Sequence, residues 1–274
     1  MYTDRTYRNN QQALDNEGLR RLSPSVFAEA PHHSRGLRYG FIPTIQVVEA
    51  LRSEGWQPYS AREQSVRLDD RRGFTRHIVR LRQPGLVFDK VDDTLPELVL
   101  MNSHDGTSAY QMHVGLFRLA CLNGLVVSDT TFSKISVRHS GNVVDRVLEG
   151  AATVVRDVPQ IAAHVGDMRA LQLSHVEQEA FAGAALVMKY DTPEASPITA
   201  AQLLGSRRTA DQAQDLWTTF NRVQENLLRG GLRGRTTSGK RTRTREVKSI
   251  TEDTRINKAL WQLTEEMRKI KNAA

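Results

Sequence analysis

The hydrophobic pattern of residues 43–103 predicts a short helix followed by three strands. Ile45, Val48 and Leu51 recur at helical spacing between Pro43 and Gly55, as is typical of a helix with marked ends. Runs with the period or composition of strands follow at residues 56–68, 76–82 and 97–103. Their connections are short and contain no crossover helix, which favours an antiparallel meander.

A second helix is predicted directly after the turn at Asp105-Gly106. Thr107 or Ser108 would cap this helix, and Gly124 would end it. Its apolar stripe would consist of Val114, Phe117 and Cys121.

The second half of the chain has mainly helical periodicity, after a brief predicted strand at residues 135–138. Ser174-x-x-Glu177 and Ser249-x-x-Glu252 match the capping-box pattern that opens a helix. Helices are predicted over residues 142–165, 174–188 and 211–228, and from residue 250 onward. The fold class is therefore α+β, with a small antiparallel sheet and packed helices followed by a helical C-terminal half.

The same pattern suggests how the chain is organised. Residues 1–35 are polar and weakly periodic, so we interpret them as a lead-in and expect the ordered body to begin near Gly36. Residues 36–140 would form the α+β core. Residues 141–274 would form a helical region in one structural unit with the core, with a basic arm at residues 229–248.

Composition places the protein among ordinary globular chains, since 39% of its residues are hydrophobic and 25% are charged. No stretch approaches the roughly 18 apolar residues that a membrane span needs, and the first residues lack the apolar region of a signal peptide. The chain has a single cysteine, which fits a reducing compartment. We therefore expect a cytoplasmic protein without a membrane partner.

The net charge of +7 is concentrated in one window, residues 229–248. This window contains a single acid, Glu246, and several glycines, which together with mutual repulsion favour a solvated segment over a core element. Its basic residues are Arg229, Arg233, Arg235, Lys240, Arg241, Arg243, Arg245 and Lys248. Because arginine forks bind phosphate bidentately, the window predicts a polyanion partner, with nucleic acid, in particular single-stranded DNA, as the first interpretation.

Two alternatives remain for this window, and a second set of arginines bears on them. The window could be a solvated loop that aids solubility, or it could bind an acidic protein or membrane surface. Arg76, Arg80 and Arg82 share one face of the second predicted strand. They would either extend the basic surface or form the solvent face of the sheet.

Candidate catalytic residues are few. The histidines, including the pair His32-His33, show no metal-ligand spacing, so we expect no metal or other cofactor. No phosphate-binding loop, nucleophile elbow or dinucleotide fingerprint is present. Residues 102–108 form a dense polar cluster, interpreted either as a turn with a helix cap or as an anion site. We expect no enzyme; a nuclease with a site near Asn102–Asp105 and His139, or a protein that binds an acidic partner, remains the alternative.

Several sequence blocks together resemble a family of phage- and plasmid-encoded proteins of unknown function, often labelled phage/plasmid-like proteins. The resemblance covers residues 36–270 and implies a mobile-element protein without an established reaction. Its blocks are residues 102–108, 117–125, 137–141, 217–227 and 257–261.

A weaker resemblance concerns the predicted order of elements over residues 44–124, which is helix, three strands and helix. This order is similar to the core of Rad-type (RecT/Redβ-like) single-strand annealing proteins. That resemblance implies a homo-oligomer whose basic groove holds single-stranded DNA for ATP-independent annealing, as a recombination mediator would.

Overall fold

The computed structural model describes residues 12–36, 39–86, 94–118, 123–126, 135–137 and 143–273. The chain divides into two compact units, an N-terminal unit of Met1–Pro159 and a C-terminal unit of Gln160–Ala274. The division falls inside a long helix, whereas the predicted border at residues 140/141 lies close to the start of that helix. That the helical region and the core form one structural unit stays a prediction.

The N-terminal unit is built around an antiparallel sheet in the order β1-β2-β3-β4-β5, with β6 also paired to β4. Helix α1 (Asn16–Leu22) and helix α2 (Thr44–Ser53) precede the sheet, and α3 (Val143–Ala170) follows it. The strands are β1 (Gln57–Glu63), β2 (His77–Arg82), β3 (Thr94–Asn102), β4 (Tyr110–Arg118), β5 (Asn123–Val126) and β6 (Ile135–Val137). The predicted α+β class, the antiparallel meander and the brief strand near residue 135 are confirmed.

The prediction that the ordered body begins near Gly36 was wrong, because residues 12–35 of the partly ordered lead-in already contain a helix and buried side chains. Asp15 caps α1 by accepting a hydrogen bond from the Gly18 N–H at 2.7 Å. Leu19 and Val26 are fully buried. Helix α1 and the short segment around Val26 each contribute only one or two buried apolar residues, which is too few to produce a periodic signal.

The helix predicted over residues 107–124 is also wrong, because Tyr110–Arg118 is strand β4, which pairs with β3 from Gln111 to Arg118. Tyr110, Met112, Val114 and Leu116 alternate and are all buried. The apolar residues of this segment therefore fit both the helical and the strand period, and pairing with the neighbouring strands makes the segment a strand. Cys121 lies outside the described residues.

This correction changes the element order over residues 44–124. A helix is followed there by strands, with a strand where the second helix was predicted. The order on which the likeness to Rad-type annealing proteins depended is therefore absent from the structure.

Strands β2 and β3 enclose a buried ionic group. The Glu97 carboxylate is fully buried and lies 2.8 Å from Arg80 and 2.9 Å from Arg82. The two arginine side chains are 12% and 7% exposed. They form neither a solvent face nor a basic surface, because a carboxylate distant in sequence draws both guanidinium groups into the sheet.

The C-terminal unit is helical, as predicted. It contains the end of α3, then α4 (His175–Tyr190), α5 (Ala200–Leu203), α6 (Leu216–Arg229) and α7 (Ile250–Ala273). The capping box of Ser174 and Glu177 is confirmed by both of its hydrogen bonds. At Ser249 the structure shows the bond from the Glu252 N–H to the hydroxyl, at 3.3 Å.

Helix α6 begins five residues later than predicted because Asp215, rather than Asp211, provides its cap. Asp215 accepts a hydrogen bond from the Thr218 N–H at 2.8 Å. Asp211 instead ends a 3₁₀ turn and pairs with Arg208 at 2.8 Å. No helix in the described part of the chain is both long enough and apolar enough to span a bilayer.

Replacing Glu97 tests the buried ionic group. Glu97→Gln removes the buried carboxylate that both guanidinium groups contact, so we expect the free energy of unfolding to fall by about 3–5 kcal/mol. Urea denaturation of the full chain measures the change.

The matched control for this substitution is Glu49→Gln. Glu49 pairs with Arg52 at 2.8 Å but its side chain is 47% exposed, so its loss is expected to change stability by less than about 1 kcal/mol. Equal effects of the two substitutions would show that the buried group does not stabilise the sheet.

Candidate nucleic-acid interface

The basic window lies between α6 and α7, as predicted, but it forms an ordered β-hairpin rather than a loop. Strand β7 (Arg233–Arg235) pairs antiparallel with β8 (Arg241–Arg243). Arg233 lies directly opposite Arg243, and Arg235 lies opposite Arg241. Directly opposed residues share one face of a hairpin, as do residues two apart in one strand. All four guanidinium groups therefore project from the same side, which we call the four-arginine face.

The turn of the hairpin is specified by local chemistry. Gly239 adopts a φ of +78°, which favours glycine. Its N–H donates to the Thr236 carbonyl at 2.8 Å, and the Thr236 N–H donates to the Lys240 carbonyl at 2.8 Å. The Thr236 hydroxyl also accepts from the Lys240 N–H at 3.2 Å. Gly239 and Thr236 thus close a tight turn within the segment that was predicted to be solvated.

The opposite face of the hairpin is seated on the segment before α5. The Arg235 N–H donates to the Pro197 carbonyl at 2.9 Å. A Cβ atom added to Gly234 would lie 1.9 Å from that same oxygen. From α5, the Gln202 amide donates to the Arg233 carbonyl at 2.7 Å. Only glycine permits this close approach, so the seat determines which way the arginines face.

The base of the hairpin is joined to the end of α6. Gly230 has a φ of +61°, and an added Cβ atom there would lie 2.6 Å from the Arg245 backbone. Arg207 donates to the Gly230 carbonyl at 2.5 Å and to the Asn226 side-chain oxygen at 2.7 Å. These contacts hold the hairpin against a buried helix.

The four-arginine face carries charge that the protein does not neutralise. Arg233, Arg235, Arg241 and Arg243 are exposed, and none of them forms an ion pair within the described ranges. Opposed like charges in a hairpin are destabilising. Within the described residues, the positive charge of this face is therefore not neutralised by acidic side chains.

Other cations of the C-terminal unit differ from this face because they have acidic partners. Arg255 lies 2.7 Å from Glu252, Lys269 lies 2.8 Å from Glu266, and Lys271 lies 3.0 Å from Glu177. These three cations are therefore neutralised by acidic side chains, unlike the arginines of the four-arginine face.

The remaining predicted binding residues fall into two groups. Lys240, Arg245 and Lys248 are exposed on or beside the hairpin. Arg229, the last residue of α6, is only partly exposed and lies 3.1 Å from Glu225. Arg76 donates to the Thr107 carbonyl at 2.5 Å. Arg80 and Arg82 are held by Glu97, as described above, and are not available as a binding surface.

An apolar cleft beside the four-arginine face was not predicted. It has a volume of about 580 Å³, and Arg235 lines one side of it. Its apolar walls come from α4 and the following loop, and include Leu186, Val187, Pro193 and Ile198, with Glu194 and Ser196 also lining it. Sequence could not reveal this cleft, because α4 and the hairpin are more than 40 residues apart along the chain.

The polar cluster near Asn102 is a buried structural network. The Thr44 hydroxyl lies 2.8 Å from His77 Nε2 and 3.3 Å from His104 Nε2, and the Asn102 amide donates to it at 3.0 Å. Asn102, Ser103 and His104 are fully buried. A strand and not a helix follows them, so both the predicted helix cap and the alternative anion site at a helix N-terminus are absent. His139, the other residue of the nuclease hypothesis, lies outside the described residues.

Burial sets the protonation of His77 in this network. Desolvation lowers the pKa of His77 from 6.5 to about 4, although a hydrogen bond to the Thr75 carbonyl opposes the shift. His77 is therefore neutral at physiological pH and serves as a hydrogen-bonding core residue.

These features describe an α+β protein whose distinguishing surface is an exposed arginine hairpin on a helical unit. Residues 31–261 match the family described as "Domain of unknown function (DUF932)", and the chain belongs to this family. The prediction of a family of proteins of unknown function is thereby confirmed.

Two relatives from Escherichia coli (strain K12) are similar to almost the whole chain. They are the UPF0380 proteins YfjQ and YafZ. Each is 44% identical over 252 residues, which cover 92% of this chain and 90% of the relative. No solved structure matches the chain.

The buried state of His77 predicts a dependence of stability on pH. Because the pKa is lower in the folded than in the unfolded state, stability is fully present above pH 6.5 and is lost as pH falls toward 4. Between pH 7 and pH 5 we expect the free energy of unfolding to fall by about 2 kcal/mol. Urea titrations at the two pH values measure this change.

His77→Gln is expected to remove this pH-dependent component, whereas His175→Gln at an exposed helix position should retain it. Carboxyl groups with a lowered pKa, such as Asp105 and Glu265, lose their contributions at lower pH. An unchanged pH dependence in His77→Gln would contradict the assignment.

Proposed function

We propose that this protein binds nucleic acid, with a preference for single-stranded DNA, through the four-arginine face. The observation that supports this most directly is the register of the hairpin, which opposes Arg233 with Arg243 and Arg235 with Arg241 on one exposed face. Such an arrangement is stable only where other contacts hold it or where an anion neutralises it. The seat on Pro197 holds it in the free protein, and phosphate would neutralise it in the complex.

Phosphate fits this face better than an acidic protein surface does. Guanidinium groups donate two parallel hydrogen bonds to a phosphate, and a rigid strand pair presents them at regular spacing of about 7 Å. The hydroxyl groups of the turn, including those of Thr236 and Ser238, add donors for backbone oxygens. The described hairpin contains no aromatic residue, so base stacking would have to come from arginine side chains or from outside the hairpin.

The apolar cleft favours single strands. Arg235 belongs both to the four-arginine face and to the lining of the cleft. A base next to a phosphate held by Arg235 could therefore enter the cleft, where Val187 and Ile198 would contact it. Bases in a duplex are paired and stacked, and they cannot enter without the cost of unstacking.

The decisive experiment removes the free charges. Arg233, Arg241 and Arg243 are replaced by Gln, and binding to a fluorescent single-stranded oligonucleotide is measured by anisotropy over a range of salt concentrations. We expect affinity to fall at least about tenfold. The logarithmic salt slope should flatten by about 2, because three phosphate contacts of about 0.7 each are lost.

The matched control removes the same formal charge from cations that have partners. Arg255, Lys269 and Lys271 are replaced together by Gln, since each of them pairs with a carboxylate. This variant should retain most of the affinity and the slope. Equal losses in the two triple variants would indicate non-specific attraction and would sink the proposal.

Competition separates the alternative partners. Duplex of the same length and polyglutamate are added to the labelled complex. We expect both competitors to displace the labelled strand less effectively than unlabelled single strand does. Displacement by polyglutamate at equal charge concentration would instead favour an acidic protein partner. Addition of the complementary strand measures annealing in the same assay.

Gly234→Ala tests the orientation of the face without changing its charge. The added methyl group cannot fit against the Pro197 carbonyl, so the hairpin has to leave its seat and affinity should fall several-fold at constant net charge. Gly166→Ala is the control, because a Cβ atom there meets nothing within 4 Å. Unchanged binding by Gly234→Ala would show that the seat does not orient the face.

A further inference from the structure

Three potential metal ligands lie close together in the N-terminal unit. The ligand atoms of His32, His33 and Asp70 all lie within 4.8 Å of one another. Asp70 belongs to the 3₁₀ turn Asp69–Arg71 between β1 and β2, whereas the histidines precede α2. We propose that His32, His33 and Asp70 form a binding site for a divalent transition-metal ion of the zinc class.

The position of His32 is the strongest observation for this site. His32 is 2% exposed, and its Nε2 atom is buried without a hydrogen-bond partner. That atom faces the Asp70 carboxylate at 3.6 Å. A buried ring nitrogen without a hydrogen bond is costly unless something else binds it. A cation between the nitrogen and the carboxylate would satisfy both.

The other contacts of His32 orient its ring toward the site. Its backbone N–H donates to the His104 carbonyl at 3.0 Å, which fixes the chain. Its Nδ1 atom lies 2.8 Å from the Ser34 hydroxyl, and its ring meets the edge of Phe74 at 5.4 Å. The Ser34 N–H also lies 3.3 Å from Nδ1. Metal binding requires the tautomer in which Nδ1 is protonated and donates to the Ser34 hydroxyl in place of that bond, so that Nε2 carries the lone pair. Metal-binding histidines in proteins are commonly oriented in this way.

The neighbouring charges leave Asp70 available. Arg72 pairs with Asp69 at 3.0 Å, and Arg71 points to Asp105, with 3.9 Å between the closest atoms. In the described residues the one charged contact of Asp70 is His32. Asp70 is therefore the carboxylate of this turn that remains for a cation.

The geometry suits a small borderline ion. Two ligands about 2.1 Å from one ion at the tetrahedral angle lie about 3.4 Å apart, close to the 3.6 Å between His32 and Asp70. The exposed side chains of His33 and Asp70 can close the remaining distance by rotation. Two imidazoles and one carboxylate form a donor set that suits zinc and similar ions rather than magnesium or calcium. Three protein ligands also leave a coordination position for water or a further ligand.

Metal titration of the full chain tests the site. After treatment with a chelator, the protein is titrated with Co²⁺, whose visible absorption reports ligand geometry, and then with Zn²⁺ by calorimetry. We expect one ion per chain with nitrogen and oxygen ligands, and displacement of Co²⁺ by Zn²⁺. The melting temperature should rise with metal concentration, because the ion joins two separate segments.

Variants at the exposed ligands test the metal site without destabilising the buried core. His33→Ala and Asp70→Asn should each weaken binding at least about tenfold. Asp69→Asn, next to the site, and His175→Ala, at an exposed position of α4, should change binding by less than about twofold. Absence of Co²⁺ absorption, or equal effects of Asp69→Asn and Asp70→Asn, would overturn the proposal.

Discussion

The C-terminal unit depends on one constraint, which is the burial of polar side chains on every side of helix α6. Residues 216–227 of this helix are all buried, so each polar group needs a partner within the protein. Arg222 donates to Gln178 of α4 at 2.9 Å, and Gln224 donates to Asn257 of α7 at 2.6 Å. The Asn226 amide donates to the carbonyls of Leu203 and Gly205. These bonds allow few alternative arrangements, because any other packing would leave buried polar groups unsatisfied.

The position of the arginine hairpin follows from this constraint, whereas its turn is specified by its own sequence. A hairpin of this length is marginal alone, and opposed arginines weaken it further. Its base instead begins at the end of α6, where Arg207 joins Asn226 to the Gly230 carbonyl. The aromatic rings of Trp217, Phe220 and Trp261 pack within the same interior. A hydrogen-bonded and closely packed interior thus stabilises a surface whose like charges repel each other.

Local features were predictable and distant partners were not. The capping box at Ser174 and the concentration of charge in residues 229–248 depend only on neighbouring residues, and both are present in the structure. The exposure of Arg80 and Arg82 was misjudged because their partner, Glu97, lies on the next strand. The direction of the four-arginine face was not predictable because it depends on pairing across a turn. The approach of Asp70 to His32 was not predictable because it depends on the fold of the sheet.

The blocks that mark the family mainly lie where the fold is held together. Trp217–Leu227 forms the buried helix, and Asn257 and Trp261 contact it from α7. Asn102–His104 lies in the buried network around Thr44. Membership of the family therefore predicts the scaffold, because these residues form hydrogen bonds and packing contacts in its interior. The four-arginine face is a separate observation, because its side chains contribute charge to the surface and little to the core. A relative with the same blocks but without opposed arginines at the hairpin would keep the fold and lack the binding surface proposed here.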